Sequence, residues 1–157
     1  MEKVKVRVIN ISNQSLPEYA TERSAGMDVR AYLAEMDRYN RDVDGVYVTL
    51  EPGQTKMIKT GIFMEIPEGY EVQVRPRSGL ALKHGITVLN SPGTIDSDYR
   101  GECNVILHNT KNTPYKIYEG DRIAQFILSK VEQVEWKNVS EIEDTDRGSG
   151  GFGSTGK

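Results

Sequence analysis

The chain has 157 residues, of which 37% are hydrophobic and 27% charged, and its formal net charge is −3. This length fits one domain whose core needs no disulfide or metal. The slightly acidic balance argues against a duplex-binding protein, which needs clustered Lys and Arg, and no segment approaches the roughly 20 apolar residues of a membrane span. Cys103 is the only cysteine. We therefore expect a reducing, cytoplasmic location, with neither nucleic acid nor membrane as a partner.

Alternating side chains predict a chain built of short strands. Residues 3–9 alternate charge with valine, and Tyr70–Arg75 repeats this period of two, which is typical of a half-buried strand. Further strands are predicted at Val46–Leu50, Gly61–Ile66, Asn104–Leu107, Ile123–Leu128 and Val131–Trp136. Turn signals rich in Pro and Gly separate these segments. The pattern predicts an all-β sandwich or barrel.

Two segments break the strand pattern. Ser78–His84 is predicted to be one short helix that Ser78 caps and Gly85 ends. Residues 34–45 are polar and charged, and we expect an exposed loop or a poorly ordered excursion there. Cys103 is expected to be a small, half-buried side chain. The two histidines do not form a ligand spacing with it, which argues against a protein-bound zinc ion.

The end of the chain is unusually rich in glycine, since five of the 15 glycines lie within residues 148–157. The spacing mimics a dinucleotide fingerprint and a P-loop, but both require a preceding strand, and residues 141–146 are acidic instead. One interpretation is a flexible tail. The other is a lid, residues 147–157, that closes over a nucleotide bound to a domain formed by residues 1–146. Arg147 would then bind phosphate and Phe152 would cover a base.

Two internal clusters carry groups suited to phosphate chemistry. Residues 75–81 place arginine and a hydroxyl at the start of the short helix, where anions are favoured, although a capped helix with surface arginines explains the pattern equally well. Residues 90–101 contain Asp96 and Asp98 beside Tyr99. Phosphoryl transfer to water needs a carboxylate that orients the nucleophile. Asp98 fits a turn or a surface ion pair instead, and Asp28 and Asp121 share that ambiguity.

Taken in order, five segments resemble the five motifs of the trimeric dUTP pyrophosphatase (dUTPase) family. They are Ala25–Ala31 (AGMDVRA), Arg75–Ala81 (RPRSGLA), Gly93–Gly101 (GTIDSDYRG), Gly120–Gln125 (GDRIAQ) and Arg147–Thr155 (RGSGGFGST). A single motif would be weak. Five in order, from residue 25 to residue 155, form a specific pattern.

The resemblance implies a jelly-roll-like β-barrel subunit in a homotrimer. Three active sites would lie at subunit interfaces, each receiving the glycine-rich lid of a neighbouring chain. The implied reaction is dUTP plus water to dUMP and pyrophosphate, which limits uracil incorporation into DNA and supplies dUMP for dTMP synthesis. The implied cofactor is Mg²⁺ held by the triphosphate, with no direct protein ligand.

The resemblance also implies roles for individual residues. Asp96 would orient the attacking water, Gln125 would help to position it, and Asp28 would act through water on the metal–phosphate cluster. Tyr99 would pack on the deoxyribose and exclude a 2′-hydroxyl, and Phe152 would stack over uracil. The implied substrate-binding residues are Arg77, Ser78, Gly79, Asn90, Gly93, Thr94, Ile95, Tyr99, Asn104, Gln125, Arg147, Ser149, Phe152, Gly153, Ser154 and Thr155.

Three alternatives stay open at this point. A dCTP deaminase shares the fold, but its family places a glutamate on the strand after the third motif, where this chain has Ile106. A non-catalytic nucleotide-binding protein could use residues 34–45, which are longer than a minimal family member needs, as an interaction surface. A structural β-trimer with a disordered tail would leave the five motifs without a role.

Overall fold

The structure is a computed structural model that describes residues 3–34, 36 and 39–151. It consists mostly of strands with one short helix, so the predicted all-β class is confirmed. The strands are β1 (Arg7–Asn10), β2 (Glu18–Tyr19), β3 (Met27–Arg30), β4 (Asn40–Asp42), β5 (Gly45–Leu50), β6 (Thr55–Ile58), β7 (Ile62–Glu65), β8 (Tyr70–Arg75), β9 (Ile86–Val88), β10 (Gly93–Ile95), β11 (Val105–Asn109), β12 (Tyr115–Tyr118) and β13 (Arg122–Lys130). The helix α1 covers Ser78–His84.

The strands form four antiparallel sheets in a jelly-roll-like arrangement. The largest sheet has five strands in the order β10-β8-β13-β3-β2, and we call it the central sheet. Two sheets have three strands each, in the orders β6-β11-β9 and β12-β5-β4, and β1 pairs with β7. Most neighbours are distant in sequence, so long-range pairing brings separate segments of the chain side by side.

Alternation along β8 decides which face of the central sheet meets the core. Val72 and Val74 are buried, whereas Glu71, Gln73 and Arg75 lie on the opposite face. The buried face packs into one continuous apolar core with the other sheets. Burying a side chain of this size stabilises the fold by about 1.5–3 kcal/mol. The outer face of the central sheet is therefore left polar and available for function.

The helix lies where the sequence predicts, but its start differs. Gly85 ends α1 in the left-handed conformation, with φ 65°, and its N–H donates to the carbonyl of Ala81. The predicted serine cap is wrong. Arg77 is the N-cap, with φ −85° and ψ 127°, and no side chain of a described residue caps the helix. Ser78 is therefore the first helical residue, and its hydroxyl is not used in capping.

The predicted strand Val131–Trp136 is wrong. β13 ends at Lys130, and residues 131–149 are all exposed and extend beyond the sheet. Within the described residues no strand pairs with these alternating apolar side chains, and Trp136 is 89% exposed. We call residues 131–151 the C-terminal arm. Near the N-terminus, β1 begins at Arg7, whereas alternation predicts a strand from residue 3.

The described end of the segment 34–45 contains a short strand, which differs there from the expected loop. Asn40–Asp42 forms β4 and pairs with β5 as a hairpin. Lys116 on β12 places its Nζ 2.7 Å from Asp42 Oδ2 and 4.1 Å from the centroid of the Tyr47 ring. The Tyr118 hydroxyl donates to the same carboxylate at 3.1 Å. The hydrogen bond from Lys116, with smaller contributions from the Asp44 backbone N–H and the Tyr118 hydroxyl, lowers the pKa of Asp42. The side-chain contacts anchor the hairpin to the β5–β12 pair.

Cys103 is fully buried rather than half-buried, with only 2% of its surface exposed. Burial raises the pKa of its thiol to about 11, because a thiolate would lose its hydration there.

Among the described residues, no helix is long and apolar enough to cross a membrane.

We expect Cys103 to resist thiol reagents in the folded protein near neutral pH. The nucleophile is the thiolate, and both burial and the raised pKa suppress it. Labelling with a chromogenic disulfide reagent at about pH 8 should be slow in buffer and rapid in denaturant. Fast labelling of the native protein would contradict the buried environment.

Candidate active site

Four polar side chains meet on the outer face of the central sheet, and we call them the arginine cluster: Asp28, Arg77, Arg122 and Gln125. Arg77 Nε lies 3.1 Å from Asp28 Oδ1, and Arg122 Nη1 lies 3.0 Å from Asp28 Oδ2. The amide Nε2 of Gln125 approaches Asp28 Oδ1 at 3.4 Å. Arg77 Nη1 also donates to the backbone carbonyl of Arg122 at 3.0 Å. One carboxylate thus joins two guanidinium groups.

Strand register creates this cluster from three distant segments. Gln125 on β13 lies opposite Asp28 on β3 and, on its other side, opposite Arg75 on β8. Arg77 follows two residues after the end of β8, at the start of α1. The first, second and fourth motifs of the sequence therefore meet at one place.

The charges in the cluster favour an anion. Asp28 is the most shielded member, with 13% of its side chain exposed, against 24% for Arg77 and 48% for Arg122. Two arginines face one carboxylate, so the sum is positive, and Arg75 lies in the next strand. Each guanidinium carries five N–H donors, of which Arg77 uses two toward the residues that the structure describes. The remaining donors are suited to phosphate oxygens.

A cavity of about 170 Å³ opens beside the cluster, between α1 and the sheets. It is lined by Arg77, Leu80, Ile86, Leu107, Tyr115, Ile117, Asp121, Arg122 and Ile123. Burial is the main cause that raises the pKa of Tyr115, and the nearby Asp121 carboxylate raises it further. The positive charge of Arg77 lowers this pKa and so offsets part of the increase. Tyr115 therefore stays a neutral phenol beside the cluster.

Gly26 allows Gln125 to occupy its position. A Cβ atom built on Gly26 would lie 3.2 Å from Gln125 Cδ and 3.3 Å from its Oε1, which is tighter than ordinary van der Waals contact. Only a residue without a side chain leaves that space open. Gly26 belongs to the site, although sequence analysis assigned it no role.

The third motif forms a separate region, the hairpin loop of residues 89–104, which encloses β10. Asn90 packs against Gly93, where a Cβ would lie 3.0 Å from the Asn90 amide nitrogen, and the Ser91–Pro92 bond is cis. The Tyr99 backbone N–H donates to the Asp96 carbonyl at 3.2 Å. The Tyr99 ring lies directly over Gly101, and its hydroxyl donates to the Glu102 carbonyl at 3.2 Å.

Asp96 faces a shallow depression of about 410 Å³ on the outer face. The lining residues are Tyr70, Glu71, Asp96, Ser97, Asp98, Val131 and Gln133. Asp96 and Thr94 are exposed, while Gly93 and Ile95 are buried against the core. Asn104 lies at the end of the loop, and its Oδ1 is buried without a hydrogen-bond partner within the described part of the chain.

One chain does not bring Asp96 to the arginine cluster. Asp96 follows Ile95, which lies opposite Val72, and Val72 lies opposite Leu128. Gln125 is therefore about four residues along β13 and two strands across from Asp96. With strand rises near 3.3 Å and spacings near 4.8 Å, the backbones are roughly 16 Å apart. That is too far for both side chains to contact one water molecule.

The C-terminal arm carries the first part of the fifth motif. Arg147 and Ser149 are exposed, and Arg147 Nε donates to the Gly150 carbonyl at 2.9 Å within a local turn. The hydrogen bonds of residues 144–150 in the described structure join that segment only to itself. The predicted site residues Phe152, Gly153, Ser154 and Thr155 lie outside the described residues.

Comparison with known proteins agrees with these motifs. The dUTPase family profile matches residues 12–156. The chain belongs to the dUTPase family. A protein of Fusobacterium nucleatum subsp. nucleatum named deoxyuridine 5′-triphosphate nucleotidohydrolase is 52% identical over 157 residues, and the alignment covers 100% of both chains.

Solved structures of dUTPases share the fold. The dUTPase of Staphylococcus bacteriophage 80alpha with dUpNHpp has a TM-score of 0.82 and 27% identity, and the match covers 99% of this chain and 100% of that one. A mutant dUTPase from phage phi11 of S. aureus, described with a structural Mg(II) ion, has a TM-score of 0.74 and 26% identity. That match covers 90% of this chain and 100% of the phage chain.

Two ambiguities of the sequence are clarified by the structure. Asp121 is structural, because its Oδ2 accepts the Tyr118 backbone N–H at 2.8 Å within the β12–β13 turn. Asp28 belongs to the arginine cluster rather than to a turn. Sequence analysis gave Arg122 no role, although it lies inside the fourth motif. Strict alternation along a strand places Arg122 and Gln125 on opposite faces, so the pattern gave no reason to pair them.

We expect Gly26→Ala to lower the free energy of unfolding and to displace Gln125. Overpacking costs typically about 1–3 kcal/mol, and the smaller entropy of the unfolded chain returns about 0.4–1 kcal/mol, so the net loss should be near 1 kcal/mol. Urea unfolding measures it. The matched control is the same substitution in a Gln125→Ala background, where the loss should be smaller because most of the crowded atoms are gone. Equal losses in both backgrounds would contradict this contact.

Proposed function

We propose that this chain is a dUTP diphosphatase that hydrolyses dUTP to dUMP and pyrophosphate. Family membership and a relative of that name at 52% identity over the whole chain support the activity. The observation that carries the proposal is the arginine cluster, an anion-binding arrangement built from three family motifs. By removing dUTP, the reaction would limit uracil incorporation into DNA and supply dUMP for dTMP synthesis.

The proposed chemistry is attack of water on the α-phosphorus. A bond forms between the water oxygen and the α-phosphorus, the bond from that phosphorus to the bridging oxygen of the β-phosphate breaks, and pyrophosphate leaves. Asp96 is the proposed carboxylate that orients the water and accepts its proton, and it is exposed at the end of β10 where substrate can reach it. Positioning and electrostatic stabilisation dominate catalysis of such transfers.

The arginine cluster is the proposed triphosphate site. Arg77 retains free N–H donors, and the first backbone N–H groups of α1, at Ser78 and Gly79, have no partner within the helix. The Ser78 hydroxyl adds a donor that capping does not use. Gln125, held by its packing against Gly26, is proposed to position the water beside the α-phosphate.

The donor set fits Mg²⁺ carried by the nucleotide. Among the described residues, no group of three His, Cys, Asp or Glu side chains could hold a metal ion. Asp28 is the carboxylate of the cluster. Its Oδ1 accepts from both Arg77 and Gln125, whereas its Oδ2 accepts only from Arg122 within the described residues and so keeps a lone pair for a metal-bound water. Mg²⁺ commonly keeps several waters and binds through substrate phosphates. When bound, it would neutralise charge on the triphosphate.

The hairpin loop is the proposed site of the base and sugar. Asn90, Gly93, Thr94, Ile95 and Asn104 would surround uracil, largely with backbone groups. The buried and unpartnered Oδ1 of Asn104 supports a polar ligand there. Tyr99 would pack on the deoxyribose, and its ring is held over Gly101 by the hydrogen bond to Glu102. Sites that must pair polar groups discriminate strongly between related ligands.

Residues 147–157 are the proposed lid over the domain of residues 1–146. Arg147, Ser149, Gly153, Ser154 and Thr155 would bind the γ-phosphate end of the nucleotide, and Phe152 would stack over uracil. Closure excludes water and so strengthens each arginine–phosphate contact. The local hydrogen bonding and the exposure of Arg147 support a segment available for closure.

We propose a homotrimer whose active sites are shared between subunits. The separation of roughly 16 Å between Asp96 and Gln125 leaves each chain with two incomplete parts of one site. A second copy that placed its hairpin loop beside the arginine cluster would complete it. The C-terminal arm supports association, because Val134, Trp136 and Ile142 are 68%, 89% and 89% exposed. Association would remove these apolar side chains from water, which is favourable.

Two details complete the proposal. A cytoplasmic location fits a protein with a single, buried cysteine, and the net charge of −3 favours neither nucleic acid nor membrane as a partner. The dCTP deaminase alternative is not favoured, because Ile106, at the position of the expected glutamate, cannot transfer a proton.

A nucleotide panel tests the activity. With Mg²⁺, wild-type protein should release pyrophosphate from dUTP and far less from dCTP, dTTP or UTP, since only dUTP carries both uracil and deoxyribose. Asp96→Asn should bind dUTP but lose turnover, because the amide cannot accept the proton of the water. Ammonia release from dCTP, or binding of dUTP without turnover by the wild type, would contradict the proposal.

Mixing two inactive variants tests the shared site. If Asp96 of one chain works with Gln125 of another, Asp96→Asn and Gln125→Ala subunits refolded together in equal amounts should recover about a quarter of the wild-type activity in a closed trimer. If each site were formed within one chain, mixing the two variants would restore no activity. Light scattering on the same sample should give about three times 17.6 kDa, and a monomer would contradict the model of shared sites.

A further inference from the structure

The clearest irregularity of the central sheet lies at the start of β13. Arg122 lies opposite Arg30 on β3, and Ala124 lies opposite Val29, so two steps along β13 match a single step along β3. Ile123 is the extra residue of a β-bulge. Bulges occur next to active sites, where they redirect a side chain.

The burial of the side chains at the start of β13 reflects the bulge. Ile123 and Ala124 are both buried, with 2% and 0% of their surface exposed, although adjacent residues of a regular strand face opposite sides. Ile123 takes the core position that alternation would assign to Arg122. The bulge thus moves Arg122 to the outer face, beside Gln125, which is three residues away.

We propose that Arg122 is a positioning residue for the reaction, and that its function is to hold the Asp28 carboxylate so that the Arg77 guanidinium stays open to phosphate. This inference rests on the proposed function. Arg122 Nη1 occupies Asp28 Oδ2 at 3.0 Å, and Arg77 Nε occupies Oδ1 at 3.1 Å. Arg77 Nη1 donates back to the Arg122 carbonyl at 3.0 Å, which closes a ring of contacts.

This ring of contacts explains why Asp28 engages only one N–H donor of Arg77. Carboxylates and guanidinium groups tend to form two parallel hydrogen bonds, which would engage one full edge of Arg77. Because Arg122 occupies the second carboxylate oxygen, Asp28 takes only the Nε–H of Arg77. Three N–H donors of Arg77 then stay free of contacts with the described part of the chain. Without Arg122, the carboxylate can rotate and pair with Arg77 through both oxygens.

The test compares Arg122→Gln, Arg122→Lys and the control Arg7→Gln, which removes an exposed arginine paired with Glu65 outside the site. Arg122→Gln should raise KM for dUTP about five- to tenfold and leave kcat within about threefold, because phosphate binding is weakened in ground and transition states alike. Arg122→Lys should restore part of the loss, since it keeps a charge near Asp28. Arg7→Gln should behave as wild type.

A measurement without substrate separates this inference from the proposed function. The Nε–H resonance of Arg77, assigned by its loss in Arg77→Lys, should shift in Arg122→Gln and stay in place in Arg7→Gln. Binding of inorganic pyrophosphate should weaken in parallel. Both results would support the positioning role even if the wild type failed to hydrolyse dUTP.

Two outcomes would overturn the inference. One is an Arg122→Gln protein with unchanged KM and an unchanged Arg77 resonance. The other is a fall in kcat alone, accompanied by a lower melting temperature and not restored by lysine, which would mark Arg122 as merely structural.

Discussion

The pairing of β13 with β8 on one side and β3 on the other is the constraint on which the site depends. This register places Gln125 between Arg75 and Asp28 and fixes which face of the sheet carries them. The opposite face supplies Phe126, fully buried in the core, so the same strand stabilises the fold and presents the polar groups. A slip of one residue would exchange the two faces and abolish both.

Local departures from regular structure adapt this sheet to bind an anion. The bulge at Ile123 turns Arg122 outward, and the absence of a side chain at Gly26 lets Gln125 approach Asp28. Both features remove something that a regular strand would have: strict alternation in the first case, and a Cβ atom in the second. The resulting cluster is positive, partly shielded and rich in unused N–H donors, which is what a triphosphate requires.

The same sheet explains why association belongs to the proposed mechanism. β10 and β13 lie in one sheet, but their register leaves Asp96 well away from Gln125, and a rigid sheet cannot fold to close that gap. A neighbouring subunit can supply the missing part without any distortion. The exposed apolar side chains of the C-terminal arm, with Trp136 foremost, give association a hydrophobic driving force.

Sequence by itself determined the all-β class, the bounds of β8 and α1, and the motifs that identify the family, because alternation, glycine stops and motif spacing are local properties. It could not determine the role of Arg122, since a bulge arises only when two particular strands pair. It predicted a strand at residues 131–136 because their side chains alternate, but no strand in the described part of the chain pairs with them. The distance from Asp96 to the arginine cluster was likewise decided by tertiary structure, because register and strand order, which set it, are relations between segments far apart in sequence.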